Sequence, residues 1–116
     1  MIKGIGIDMV EVERVERAMT NPRFLQRLYT ETERNFLAQR HGGQSAAGMF
    51  AAKEAVAKAL GTGFSGIRPN QIEILHLQSG KPAVRLVDWA GEGRFHLSIT
   101  HTRQIAQAIA IWEVEI

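Results

Sequence analysis

Hydrophobic positions follow strand spacing near the start of the chain, helix spacing through its middle, and strand spacing again towards its end. Residues 2–10 alternate, with Ile5, Ile7 and Met9 pointing one way, which predicts a β-strand with Gly4 and Gly6 on the other face. Glycines on one face of a strand indicate that another element packs very close to it. Asp8 lies at the end of the same face, so its carboxylate is expected beside that element.

Three short helices are predicted to follow this strand. In residues 11–19 the apolar positions recur at helical spacing and leave Arg14 and Arg17 on the exposed side. An Asn-Pro pair and a Thr-to-Glu capping box are typical of helix N-termini and predict where the second and third helices begin. The residues that carry these signals are Asn21, Pro22, Thr30 and Glu33.

The strongest helix prediction falls on residues 45–60, which contain seven alanines. Ser45 is predicted as the N-cap, and Gly61 follows the last turn as a C-terminal glycine does. Small side chains let a neighbouring backbone come close, so this helix is expected to pack on the glycine face of the first strand. One stripe of the helix carries an aromatic ring, a carboxylate and an ammonium group: Phe50, Glu54 and Lys58.

Spacing alone leaves two interpretations of Glu54 and Lys58 open. A solvated ion pair one turn apart would contribute only about 0.3–0.5 kcal/mol. Alternatively, the close packing brings Glu54 to Asp8, and Mg²⁺ typically takes one or two carboxylates while keeping its other positions for water and substrate phosphates. Lys58 would then face a phosphate, which indicates phosphoryl or pyrophosphate chemistry.

Strand patterns return in the last third of the chain. The four segments are residues 71–77, 83–87, 95–100 and 105–116, with residues 88–94 as a short link. The last strand is apolar on both faces in its first half, which indicates a central position. The predicted fold class is α+β, with an antiparallel sheet wrapped around the alanine-rich helix, and residues 1–116 are expected to form a single domain.

Composition narrows the possible functions. The 116 residues include no cysteine, which excludes disulfides and thiolate metal sites and favours a reducing cytosol. No stretch has the roughly 20 apolar residues that span a bilayer and no leader is visible, so a soluble, cytoplasmic protein is expected. Six of the ten arginines lie between Arg14 and Arg40, a basic surface that suits nucleic acid, an acidic protein or a phosphorylated small molecule.

Two familiar kinds of catalytic motif are absent. No Walker loop occurs, because the glycines after the central helix follow that helix and do not open one. No nucleophile elbow surrounds Ser98. His101, at a strand end, fits a structural hydrogen bond as well as it fits a ligand contact.

Four motifs connect these observations. They are GIGIDMVEV at residues 4–12, FAAKEAVAKALGTG at residues 50–63, SGKP at residues 79–82 and LSITH at residues 97–101. Together they resemble the holo-acyl-carrier-protein synthases, the small trimeric type of 4′-phosphopantetheinyl transferase, nearly from end to end.

The resemblance implies transfer of 4′-phosphopantetheine from coenzyme A to a serine of apo acyl carrier protein in fatty acid biosynthesis, with release of adenosine 3′,5′-bisphosphate. It implies that Asp8 and Glu54 bind Mg²⁺ against the pyrophosphate, and that Glu54, or a water on the metal, helps to deprotonate the serine. Lys58 would neutralise the phosphate and assist the leaving group. These three residues are the implied catalytic set.

Further contacts are implied by the same resemblance. Coenzyme A binding is implied for Lys58, Gly61, Lys81, Pro82 and His101. Docking of the acidic carrier is implied for Arg14, Arg17 and Phe50. A homotrimer with sites between subunits is expected, and neither nucleic acid nor a membrane is expected as a partner.

The chain departs from the family pattern in three places. Met49 replaces a usual arginine, and Thr100 and Thr102 flank the motif histidine where serine and aspartate are commoner. A helix often found before the last strands is shortened to residues 88–94. Two alternatives therefore stay open: a transferase that serves polyketide or peptide synthetase carriers, and a coenzyme A-binding protein without turnover, for which Met49 is the only hint.

Overall fold

The computed structural model describes the whole chain, Met1–Ile116. Four α-helices are present: α1 Val12–Ala18, α2 Pro22–Leu28, α3 Glu31–Ala38 and α4 Gln44–Ala59. Five strands are present: β1 Ile2–Glu11, β2 Ile72–His76, β3 Pro82–Leu86, β4 Arg94–His101 and β5 Ile105–Glu113. Two short 3₁₀ turns, Gly63–Ser65 and Pro69–Gln71, connect α4 to β2. None of the helices is long and apolar enough to cross a membrane.

The strands form two antiparallel sheets. One has the order β1-β5-β4, and the other is the hairpin of β2 and β3. The α+β class and the central position of β5 are therefore confirmed. The last strand ends at Glu113 and does not reach residue 116, because the next backbone N–H, that of Val114, bonds to the carbonyl of Met1 outside the regular ladder.

The glycine face of β1 is where α4 packs, as predicted. A Cβ atom on Gly4 would lie 1.9 Å from the carbonyl oxygen of Ala59, and one on Gly6 would lie 1.9 Å from that of Ala55. No side chain fits in such a gap. The helix backbone therefore rests directly on the strand backbone, and every residue of α4 near this line is held at a fixed depth.

Three of the predicted helix-capping signals are confirmed and one is wrong. The Asn21 side chain accepts a hydrogen bond from the backbone N–H of Arg23, and the capping box at the start of α3 is complete. Gly61 has φ +86°, as a glycine after a helix does. The prediction of Ser45 as N-cap was wrong, since α4 begins one residue earlier and is preceded by Gly43. A Cβ there would lie 2.1 Å from Cγ of Glu16, so a larger residue at the cap would require this exposed side chain to move.

The side of the β1-β5-β4 sheet that points away from α4 is uncovered, and it is largely apolar on β1 and β5, whereas β4 contributes the polar residues His96, Ser98 and Thr100. Its large side chains and their exposed fractions are Ile5 63%, Ile7 50%, Met9 59% and Ile109 38%. Ile5 pairs with Ile111, and Ile7 pairs with Ile109, across the two strands. The chain thus presents a continuous hydrophobic outer face on β1 and β5.

Candidate active site

Asp8 lies on the β1 face that α4 covers, two residues beyond Gly6. Its side chain is 11% exposed, and its Oδ1 accepts a hydrogen bond of 3.0 Å from Nζ of Lys58. The same ammonium donates to the carbonyl oxygen of Ile7 at 3.0 Å. Lys58 is therefore bound to β1, and the solvated ion pair with Glu54 that the spacing allowed does not form.

The second oxygen of Asp8, Oδ2, is buried and has no hydrogen-bond partner. A buried carboxylate oxygen without a donor or a cation is unfavourable, because it has lost its water and gained no replacement. Such atoms are rare in folded proteins and call for an explanation. Oδ2 therefore marks a position that a cation or a hydrogen-bond donor can fill.

Glu54 projects from the middle of α4 towards Asp8 and is partly buried. Burial raises the pKa of Glu54, and so do the negative charge of Asp8 and the hydrogen bond that protonated Glu54 can donate to it. Lys58 and Arg14 act in the opposite direction on this pKa. Two carboxylates and two cations thus share one electrostatic neighbourhood.

Asp8 and Glu54 fit a divalent cation that prefers oxygen ligands. No group of three or more His, Cys, Asp or Glu side chains comes together in the chain, so two carboxylates are what the protein can offer. Magnesium is commonly held in this way and keeps its remaining positions for water and substrate phosphates. The unpartnered Oδ2 of Asp8 agrees with such an ion.

A second candidate region lies at the N-terminal end of α4. It is a cavity of about 170 Å³ whose lining includes Met49, Pro82 and His101. The cavity is lined by neither Asp8 nor Glu54. Met49 is buried in its wall, so the position where the family usually has arginine is apolar here.

The predicted coenzyme A contacts therefore fall into two groups. Pro82 and His101 line the cavity, and Lys81 is exposed in the turn beside Pro82. Lys58 and Gly61 lie at the other end of α4. Within one chain, the structure brings Asp8, Glu54 and Lys58 together but does not bring the two groups into one pocket.

The predicted carrier-binding residues differ in their exposure and in their proximity to Glu54. Arg14 and Arg17 are both exposed on α1, as expected, and Arg17 lies 3.7 Å from the Glu13 carboxylate in an exposed pair of little strength. Phe50 is partly buried and stacks on Phe64, with ring centroids 6.4 Å apart. Only Arg14 is near enough to Glu54 to influence its pKa.

Two features near these regions were not predicted as sites. His76 lines the cavity and stacks on Phe36, with centroids 4.4 Å apart and planes 1° from parallel. Burial lowers the pKa of His76, and the nearby charge of Arg40 lowers it further. Separately, Arg23 and Arg27 line an open cleft on α2. No sequence signal could place His76, because its position depends on how β2 meets α3 and α4.

Comparison with known proteins gives a consistent result. The sequence profile of the 4′-phosphopantetheinyl transferase superfamily matches residues 4–110. The chain is 47% identical over 121 residues to the holo-[acyl-carrier-protein] synthase of Alkaliphilus metalliredigens, covering 95% of this chain and 99% of that protein. It is 46% identical over 119 residues to the synthase of Listeria monocytogenes serotype 4a, covering 98% and 100%.

Solved structures agree with the sequences. The crystal structure of a Bacillus anthracis holo-(acyl-carrier-protein) synthase in complex with CoA (3′,5′-ADP) superposes with a TM-score of 0.90 and 38% identity, covering 99% of each chain. The Helicobacter pylori synthase in complex with coenzyme A gives a TM-score of 0.82 and 28% identity, covering 94% of this chain and 99% of that one. The motifs, the glycine-face packing and these relatives lead to one conclusion: the chain belongs to the 4′-phosphopantetheinyl transferase superfamily.

Proposed function

We propose that this chain is a magnesium-dependent holo-acyl-carrier-protein synthase. It transfers 4′-phosphopantetheine from coenzyme A to a serine of apo acyl carrier protein, as a step of fatty acid biosynthesis in the cytoplasm. The proposal treats the whole chain as one transferase domain. The observation that carries it is the meeting of Asp8, Glu54 and Lys58 where α4 rests on β1.

The reaction requires one bond to form and one to break. The serine oxygen bonds to the phosphorus on the pantetheine side of the pyrophosphate, and the bond from that phosphorus to the bridging oxygen breaks, which releases adenosine 3′,5′-bisphosphate. Glu54 is suited to receive the serine proton because it is a carboxylate placed beside Asp8 and Lys58, and in the metal-free chain burial and the charge of Asp8 raise its pKa. Lys58 is half exposed, so its ammonium can contact the departing phosphate.

Asp8 and Glu54 would hold the magnesium ion. When bound, magnesium neutralises charge on the pyrophosphate oxygens and orients them. Asp8 also fixes Lys58 through its Oδ1, which leaves the unpartnered Oδ2 for the ion. The two carboxylates thus have separate tasks, since Asp8 is a ligand and an anchor whereas Glu54 is a ligand and a base.

Coenzyme A would span the two regions that one chain keeps apart. Gly48, in the cavity wall, precedes Glu54 by six residues, or about 9 Å along the helix. Lys81, Pro82 and His101 would hold the nucleotide end, and Lys58 and Gly61 would lie at the reacting end. A cavity of about 170 Å³ is too small for the whole molecule, which supports completion of each site by a second copy of the chain.

The hydrophobic outer face supports a homotrimer as that assembly. Ile5, Ile7 and Met9 are half or more exposed, which is unusual for a continuous row of large apolar side chains unless another surface covers it. A trimer predicts a solution mass three times 12.9 kDa by light scattering. Ile7→Asp should give monomers with little transfer activity, and a wild-type monomer that is fully active would contradict the arrangement.

Carrier docking is proposed for α1, with Arg14 as its main contact beside Glu54. A carrier with an acidic surface would place its serine near the base as it binds. Arg17 and Phe50 would add contacts at the edge. Carriers of polyketide or peptide synthetases could use the same surface, so the choice of carrier is decided by competition between purified apo carriers.

The central experiment measures carrier mass. Apo acyl carrier protein, coenzyme A, magnesium and the purified chain should give a carrier heavier by roughly 340 Da, the size of a phosphopantetheine adduct. A coenzyme A-binding protein without turnover would bind the nucleotide and leave the mass unchanged. An unchanged carrier mass with the folded, trimeric protein would therefore refute the proposed activity.

A further inference from the structure

Lys53 is the residue next to Glu54 and is completely buried. Its Nζ donates to Oε1 of Glu33 at 2.7 Å, to the carbonyl oxygen of Pro69 at 2.9 Å, and to the carbonyl oxygen of Ile72. A lysine ammonium has three N–H donors, so all of them are used. Neither the proposed chemistry nor substrate binding gives this group a role.

Glu33 is equally buried and connects the same network to two other elements. Its Oε1 also accepts from the backbone N–H of Thr30 at 2.9 Å, and its Oε2 accepts from the backbone N–H of Ile74 at 2.7 Å. The pair thus ties α4 to the start of α3, to β2 and to the turn before β2. Each bond from Lys53 ends on a backbone atom or on a carboxylate that is itself fixed by backbone.

Net stability does not explain such a pair. Two ions removed from water recover little beyond their desolvation, and apolar residues of similar volume often replace them without loss. Buried pairs of this kind are better attested as devices that fix one arrangement among several.

The central helix has few other fixed points, because its packing surface on the sheet is smooth. Ala55 and Ala59 meet glycines, so no side chains interlock there and prevent the helix from turning or sliding. Apart from the Lys53 network, its only side-chain hydrogen bonds to other elements are those from Lys58 to β1 and from Tyr29 to the carbonyl oxygen of Ala46. A side-chain tip lies about 5–6 Å from a helix axis, so a rotation of 20° would move the Glu54 carboxylate by about 2 Å. A misplacement of about 1 Å can lower a rate about 100-fold.

We propose that Lys53 is a positioning residue: its bonds to Glu33, Pro69 and Ile72 fix the rotation of α4 and thereby hold Glu54 against Asp8. The proposal rests on the proposed function, in which Glu54 acts in transfer. Lys53 itself touches no substrate. It acts only through the neighbouring carboxylate.

The first test is Lys53→Met, which keeps an unbranched side chain, one heavy atom shorter, and removes its charge. Its kcat should fall at least tenfold, while the KM for coenzyme A changes less than threefold. Magnesium binding should raise the melting temperature, and the magnesium concentration that gives half of this rise should be higher in the variant by a similar factor. Leu28→Ala, a core truncation on α2, is the control for lost stability. Equal losses of kcat in the two variants at matched melting temperature would overturn the proposal.

The second test exploits the absence of cysteine from the chain. Lys53→Cys can be alkylated while unfolded with 2-bromoethylamine, which rebuilds a lysine-like ammonium, or with 1-bromopropane, which gives a neutral chain of the same length. After refolding, the aminoethyl protein should regain most of the wild-type kcat and the propyl protein should not. Equal recovery with both reagents would show that the volume of the side chain matters and its bonds do not.

If the Lys53 variants do not fold, Glu33→Gln provides a milder test of the same network. It keeps the volume and one acceptor for Lys53 but cannot accept from Ile74 through its amide nitrogen. A severalfold lower kcat in the folded variant is expected, and an unchanged kcat would count against the proposal. Failure of the proposed site would look different, since Glu54→Gln would then retain full kcat in the wild-type background.

Discussion

Substituting Gly6 with alanine is the sharpest test of the geometry that creates the site. The new Cβ would lie 1.9 Å from the carbonyl oxygen of Ala55. A carbon and a carbonyl oxygen in contact lie about 3.3 Å apart, so α4 must retreat by about 1.4 Å. Overpacking of this kind destabilises by about 1–3 kcal/mol.

The same retreat would act on catalysis. Glu54 and Lys58 are carried by α4, whereas Asp8 is carried by β1, so a shift between helix and strand breaks the 3.0 Å bond between Lys58 and Asp8. A displacement above 1 Å in a reacting group predicts a loss of kcat of about 100-fold. Thermal unfolding and the carrier mass assay measure the two effects separately.

Gly4→Ala is the matched control, because its Cβ would lie equally close, 1.9 Å, to the carbonyl oxygen of Ala59. The stability losses should be similar, because the two contacts are equally close. The loss of kcat should be smaller for Gly4→Ala, since this change displaces α4 beside Lys58, whereas Gly6→Ala displaces it beside Glu54, the proposed base and magnesium ligand. Gly6→Ala with unchanged melting temperature and unchanged kcat would refute the backbone contact between α4 and β1.

Three further outcomes are expected. Glu54→Gln should keep the fold and lower kcat by at least about 100-fold, because it removes a base and a magnesium ligand together. Circular dichroism measures the fold and the mass assay measures the activity. Full activity would refute the assignment. Arg14→Ala should raise the KM for the carrier several-fold and leave that for coenzyme A unchanged, and equal increases for both would remove the docking role. Chelation of divalent metal should stop transfer, and added Mg²⁺ should restore it; transfer that continues in excess chelator would contradict the metal site.

The sequence was sufficient to predict the contact between α4 and β1. Alternation in β1 put Gly4, Gly6 and Asp8 on one face, and the alanines of α4 supplied a surface thin enough to lie on it. Once these two patterns were combined, the approach of Glu54 to Asp8 followed. These features could be predicted because each depends only on the side-chain periodicity of its own element, which is two residues in a strand and 3.6 residues in an α-helix.

Contacts that depend on how an element is rotated or on distant packing could not be predicted. Lys58 was expected either to pair with Glu54 or to face a phosphate, and its bond to Asp8 was not predicted because it depends on the rotation of α4. Glu33 was recognised as part of a capping box, yet its second task as the partner of buried Lys53 joins residues 20 positions apart. The cap before α4 was misassigned for the same reason, since the approach of Gly43 to Glu16 of α1 is a tertiary contact.

The hydrophobic outer face on β1 and β5 has a consequence for how the protein behaves during synthesis and storage. If copies of the chain cover this face mutually, folding and association become one equilibrium, and the temperature of unfolding rises with protein concentration. Newly made chains at low abundance would then be the most vulnerable to proteolysis and to non-specific adhesion. The concentration of the protein in a cell would then determine how long each copy survives.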